Sequence, residues 1–183
     1  MNFEFTEISG LVVLTPDIFN DDRGYFFESY SKKTLSEILN IELNFVQDNE
    51  SYSMHGVVRG LHYLLPPFEQ GKLVRIIKGA VKDIAVDIRE NSPTYGSYFS
   101  IELNDINKKQ IYIPPGFAHG FVTISESAIL NYKCTNFYNK ESEGGIIFSD
   151  PFLKIDWEMD ELLVSEKDKI LPFFGEHRKY FPD

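Results

Sequence analysis

A histidine, a lysine, a tyrosine and two acids in this chain are able to move protons or hold charge, and each lies in a run that alternates like a strand. In Val58-Arg59-Gly60-Leu61-His62-Tyr63 the alternation puts Gly60 and His62 on one face and Arg59, Leu61 and Tyr63 on the other. A glycine two residues before a histidine clears space above a sheet, so that face would offer an imidazole beside a void; a lone histidine hydrogen-bonded in a packed core is the competing reading. Lys72, Val74 and Ile76 share one face of a later run, and Val81, Asp83, Ala85 and Asp87 share one face of the next. Buried charge is expensive unless paired, so inward-facing Lys and Asp would neutralise one another or serve a ligand. Solvated strand faces account for them equally well. Leu130, Tyr132 and Cys134 also share a face. A tyrosine hydroxyl, with a pKa of ~10, gives a proton to a carbanion and recovers it without a permanent charge in the pocket. Most tyrosines in β-proteins only pack and hydrogen-bond.

These groups need elements to hold them. With 16 Phe and 10 Tyr among 183 residues, and short Val/Ile/Phe/Tyr runs between Gly71, Gly79, Pro93, Gly96 and Gly116, the pattern predicts many short strands. They are expected at Leu73–Lys78, Val81–Arg89, Gly96–Leu103, Gln110–Pro114, Gly120–Ile124 and Ser127–Tyr138, with a tight hairpin at Gly79-Ala80. Helical patches are expected at Lys32–Leu39, behind Ser31 as N-cap, and as a short helix or turn within Asp160–Lys169. No repeat or linker divides the chain, so the expected architecture is one domain over residues 1–183. It is mainly β, a closed or sandwiched antiparallel barrel with a small helical cap.

Bulk properties restrict the partners. A formal charge of −10 repels a phosphate backbone over most of the surface, which argues against nucleic acid. A nucleotide ligand needs only a few local cations, and Arg23, Arg59, Lys72 and Arg75 are spaced as a pocket and not as a patch. No apolar run approaches the ~18 to 20 residues that cross a bilayer, and Met1–Thr6 carries no basic run leading into an apolar stretch. The expected location is cytoplasmic, with no membrane partner. Cys134, the only cysteine, forms no internal disulfide and reads as a small semi-buried strand residue.

Pro114-x-Gly116-x-x-His119 has the spacing of the second conserved motif of cupins. A cupin metal site would also want a His-x-His pair in the first motif, where this chain has Gly60 before His62. No metal is therefore expected.

The motifs occur as an ordered set. Gln47-Asp48-Asn49-x-Ser51, Gly56-Val57-Val58-Arg59-Gly60-Leu61-His62 and Gln70-Gly71-Lys72-Leu73-Val74-Arg75 are joined by Asp22-Arg23-Gly24-Tyr25-Phe26-Phe27-Glu28 and by Asp83 to Arg89. Pro115 to Phe121, Tyr132-Lys133, Glu143-x-Gly145-Ile146, Ile155-Asp156-Trp157 and Ser165-Glu166-Lys167-Asp168 complete it. Spanning nearly the whole chain, this set resembles the dTDP-4-dehydrorhamnose 3,5-epimerase family. The resemblance implies a homodimeric cupin-type jelly-roll and a dTDP-4-keto-6-deoxyhexose substrate, whose C4 ketone acidifies the C–H bonds at carbons 3 and 5, so that proton removal and return need no cofactor. By the family's pattern His62 is the general base, Asp168 its orienting partner, Lys72 the holder of the enolate oxygen and Tyr132 the proton donor. Binding falls to Arg23, Glu28, Gln47, Asp48, Asn49, Arg59, His119, Glu143 and Lys167, with Tyr138 stacking on thymine. The chain departs from the pattern at Leu64, where the family commonly has Gln after Arg-Gly-Leu-His-x. The same groups would also serve a single-centre epimerase or a ketoisomerase. A non-catalytic sugar-nucleotide-binding cupin is the alternative from another class.

Overall fold

The computed structural model describes residues 1–181; the last two residues of the expected 1–183 domain lie outside them. In chain order the strands are β1 (Asn2–Phe5), β2 (Val12–Thr15), β3 (Phe19–Asp21), β4 (Gly24–Phe26), β5 (Gln47–Met54), β6 (Val57–Leu64) and β7 (Lys72–Lys78). They continue as β8 (Ala80–Asp87), β9 (Tyr98–Asn104), β10 (Gln110–Ile113), β11 (Phe117–Thr123), β12 (Ser127–Cys134), β13 (Glu143–Gly145) and β14 (Leu163–Val164). The helices are α1 (Lys32–Leu39) and α2 (Glu166–Lys169). One sheet runs β1-β2-β10-β7-β12-β5 and the other β13-β6-β11-β8-β9, all antiparallel, with β14 added parallel to β6. β3 and β4 form a separate two-stranded hairpin.

The expected period of two accounts for the packing. On β8, Val81 and Ala85 face the space between the sheets and meet Val74, Ile76, Phe117, Phe121 and Leu130. Ile84 and Val86 point the other way, onto a second core capped by Leu153, Trp157 and Tyr180 of the C-terminal segment. Both faces of β8 are thus buried, which is why its apolar residues fall on both faces and not on one. Helix α1 matches its expected bounds. Ser31 Oγ accepts from the Thr34 amide, Asn40 closes the helix at φ 53°, and Leu35 is buried against Val12, Leu14, Leu73 and Tyr112.

Three local expectations need correction. The Gly79-Ala80 turn is no hairpin: β7 pairs with β10 and β12, whereas β8 pairs with β9 and β11, so Gly79 is a corner between sheets. A Cβ on Gly79 would stand 2.1 Å from the Ser127 carbonyl oxygen, and its amide is held by Asp105 instead of a facing strand. Apolar alternation runs through such a corner unbroken, so sequence alone does not distinguish it from a hairpin. The short helix or turn expected within Asp160–Lys169 is present as α2, confined to the last turn because Leu163 and Val164 are drawn onto β6, where the Leu163 amide bonds to Gly56. The run expected at Ser127–Tyr138 leaves the sheet after Cys134, where Asn136 bonds to the Pro67 carbonyl and to the next amide.

The third correction bears on the site. Strict alternation sets Arg59 and His62 on opposite faces, yet both line one cavity. The reason is a β-bulge. His62 lies opposite His119 and Arg59 opposite Phe121, so β6 spends one residue more than β11 over this stretch. Gly60 is the residue that permits it. At φ 130° its missing Cβ would lie 2.5 Å from Gly120 Cα and 2.8 Å from the His119 carbonyl oxygen. Gly60 thus brings two backbones together and does not open room for a ligand. A Gly60→Ala chain is expected to lose about 1–3 kcal/mol from overcrowding and a comparable amount from the backbone angle. Chemical denaturation measures this, and an unchanged midpoint would refute the close-approach role.

Candidate active site

At one end of the sandwich the sheets part around a cavity of about 830 Å³. One wall comes from β6 and β11, and carries His62, Arg59 and His119, with Asp83 of β8 buried behind His119. The facing wall comes from β5, β7 and β12, and carries Asn49, Lys72 and Tyr132. The segment Leu162–Lys169 closes a third side with Ser165, Lys167 and Asp168.

His62 Nε2 is 2.7 Å from Asp168 Oδ1. A carboxylate only accepts, so Nε2 carries the hydrogen and Nδ1 keeps its lone pair, the arrangement of a base with an orienting acid. Asp168 is delivered by α2: Ser165 caps this single turn and takes the Asp168 amide. Burial pushes the Asp168 carboxyl up, but hydrogen bonds from His62, the Gly60 amide and Ser165 outweigh it and hold the carboxyl below the usual range. It therefore stays ionised at neutral pH.

Across the cavity Lys72 Nζ sits 5.8 Å from the centroid of the Tyr132 ring, and Lys72 is the direct cross-strand neighbour of Cys134. Burial pushes the Lys72 ammonium down, opposed by Cys134 and Asp83. Burial, with Cys134 adding to it, raises the Tyr132 phenol, so the hydroxyl keeps its proton and is a donor. His119 gives Nε2–H to Asp83 Oδ2 at 2.9 Å, and burial lowers its pKa so that the ring is neutral. At the rim Glu143 joins Tyr138 Oη at 3.2 Å and Lys167 Nζ at 2.7 Å. Arg59 is held by Ser53 and the Tyr52 carbonyl.

The cavity thus gathers His62, Lys72, Tyr132, Asp168, Asn49, Arg59, His119, Tyr138, Glu143 and Lys167. Four other expected binding residues do not line it. Gln47 lies one layer behind, bonded to Asn49 and to the Tyr138 amide. Asp48 faces outward and pairs with Lys133. Arg23 and Glu28 lie outside it, Arg23 on the exposed β3–β4 hairpin paired with Asp21. Arg75, counted among the pocket cations, shares the Leu73 side of β7 and does not line the cavity either. Sequence reasoning left Asp83 and Gln70 out of the site; inward alternation on β8 was the available signal for Asp83. Leu64, facing Glu143 across the β6–β13 pair, also lines the cavity. Among the described residues no three His, Cys, Asp or Glu side chains gather as a metal cage.

Two packed antiparallel sheets, a cavity at one end, and a base, a cation and a phenol on its walls define a cupin-type jelly-roll equipped for proton transfer. Residues 5–176 match the model of the dTDP-4-dehydrorhamnose 3,5-epimerase family, and the chain belongs to that family. A Shigella flexneri dTDP-4-dehydrorhamnose 3,5-epimerase is 48% identical over 168 residues, covering 92% of this chain and 93% of its own. The crystal structure of the Elizabethkingia anophelis enzyme superposes with a TM-score of 0.92 at 47% identity, covering 96% and 97% of the two chains. That of a Legionella pneumophila dTDP-6-deoxy-D-glucose-3,5-epimerase in complex with dTDP-4-keto-L-rhamnose gives 0.92 at 45%, covering 95% and 93%.

Proposed function

We propose that this chain converts dTDP-4-keto-6-deoxy-D-glucose to dTDP-4-keto-L-rhamnose by inverting carbons 3 and 5 without cofactor or metal, in the biosynthesis of a deoxysugar. The observation that carries the reading is the His62–Asp168 pair on one wall of a cavity whose facing wall bears Lys72 and Tyr132. His62 Nδ1 takes the proton next to the ketone, and Asp168 stabilises the resulting imidazolium. The electrons move onto the ketone oxygen, where Lys72 meets the negative charge as it forms. Tyr132 then gives its proton to the opposite face of the same carbon and is reprotonated as His62 releases its own. Arg59 and Lys167 suit a pyrophosphate, and Tyr138, exposed at the rim, suits a thymine.

The chain works as a cytoplasmic homodimer. Supporting this, the hairpin that carries Arg23 leaves Phe19 65%, Tyr25 57% and Phe26 70% exposed, and Phe3 and Phe5 on edge strand β1 are also bare. A partner covering this surface would bring Arg23 and Glu28 to the neighbouring cavity. Among the described residues no helix is long and apolar enough to cross a membrane.

Proton NMR in deuterium oxide tests the reaction, with purified protein and dTDP-4-keto-6-deoxy-D-glucose. Deuterium entering carbons 3 and 5 is the expected result. Label at one carbon only would make the protein a single-centre epimerase, and no label at either would overturn the catalytic reading.

A further inference from the structure

We infer that Asp83 is a positioning residue serving two groups of this site at once: its buried carboxylate fixes the His119 ring with the hydrogen on Nε2 and supplies the negative charge beside which Lys72 remains an ammonium. The inference rests on the proton-transfer reading above and adds to it a residue that the motif comparison does not assign.

Asp83 is 1% exposed and lies on the inward face of β8. Its Oδ2 accepts from His119 Nε2 at 2.9 Å, which leaves His119 Nδ1 as an acceptor for a sugar hydroxyl. Its Oδ1 is also buried and has no hydrogen-bond partner. A carboxylate in that position is costly unless a positive charge lies near; Lys72 lines the same cavity as His119, and Asp83 is one of the two groups that oppose the desolvation of its ammonium. The other acids around the cavity are committed or solvated: Asp168 to His62, Glu143 to Lys167, and Glu50 on β5 in open solvent. The remaining ionisable groups facing Lys72 are Tyr132 and Cys134 on β12 and, across the cavity, Arg59 and His62 on β6. Burial raises the phenol and the thiol and keeps both neutral, so of the two groups that favour the ammonium, Cys134 and Asp83, Asp83 is the one that supplies the counter-charge.

The spacing has a chemical consequence. Asp83 forms no ion pair with Lys72 within contact distance, so it stabilises the ammonium without occupying the N–H groups that must point at the substrate oxygen. A carboxylate in direct contact would compete with the enolate for those donors. One that stands off behind His119 does not.

Asp83→Asn keeps the shape and removes the charge. Turnover at neutral pH is expected to fall about tenfold or more, with dTDP affinity by calorimetry within about threefold of the unaltered chain. The sign of the pH effect follows from Lys72: without the neighbouring negative charge it loses its proton at lower pH. The basic limb of the kcat profile should therefore move to lower pH. A purely structural role would not move that limb, so an unshifted profile overturns the inference. If the variant does not fold, the unaltered chain decides by NMR with nitrogen-15 lysine and histidine. Lys72 should be an ammonium at neutral pH and His119 a neutral ring with its hydrogen on Nε2; an amine, or a hydrogen on Nδ1, overturns the inference. An unaltered chain that exchanges no deuterium into substrate would instead defeat the epimerase reading itself.

Discussion

Alanine in place of His62 is expected to lower turnover of the keto-sugar by about 10²- to 10⁴-fold, the usual contribution of a positioned general base. The expectation follows from placement. His62 has its Nε2 committed to Asp168, so Nδ1 is the free ring nitrogen, and it is a third exposed on the side that faces the cavity. His119 offers no replacement, because it is almost wholly buried and already bonded to Asp83. Affinity for dTDP should change little, since the rim residues Tyr138, Lys167 and Arg59 carry it. Tyr132→Phe is the informative companion. It keeps the ring beside Lys72 and removes only the hydroxyl, so proton exchange at one carbon should persist while inversion fails. Paired measurements of deuterium exchange and product formation separate the two variants. If His62→Ala retains near-normal exchange, the base lies elsewhere.

Lys72→Met should lower turnover by about 10²- to 10³-fold, because a preorganised donor aimed at a developing oxyanion typically contributes about 2.7 to 4 kcal/mol. Methionine preserves length and packing beneath Tyr132 and removes the charge. Burial holds the Lys72 ammonium below the usual lysine range, so in the unaltered chain activity is lost as pH rises through that lowered value. The Lys72→Met profile should lack this basic limb altogether. Steady-state kinetics across pH, beside calorimetric binding of dTDP, checks both statements. A Lys72→Met protein that loses nucleotide binding in proportion to turnover would make Lys72 a phosphate ligand and remove the oxyanion role.

Much of this was legible in the chain. Period-two alternation identified β7, β8, β11 and β12 and put Lys72 with Val74 and Ile76, Asp83 with Val81 and Ala85, and Tyr132 with Leu130, faces that the fold turns inward. Ser31 marked the start of α1 because a hydroxyl is what a bare helix amide needs, whereas the start of α2 at Ser165 was not singled out within Asp160–Lys169. The ordered motifs pointed to the family, since they list the reacting groups themselves. What alternation cannot express is a change of sheet or an inserted residue. Gly79 turns the chain from one sheet to the other without disturbing the pattern, and the bulge at Gly60 shifts the phase of β6 so that Arg59 and His62 share one cavity. Both depend on contacts with Ser127 and Gly120, which are remote in sequence. The pairing of His62 with Asp168, 106 residues away, and the isolation of Arg23 from its own cavity likewise arise only when distant segments pack. Local sequence determined which side chains share a strand face; tertiary closure decided which faces turn inward and which side chains meet, because the meeting distance is set by the elements between them and not by the residues themselves.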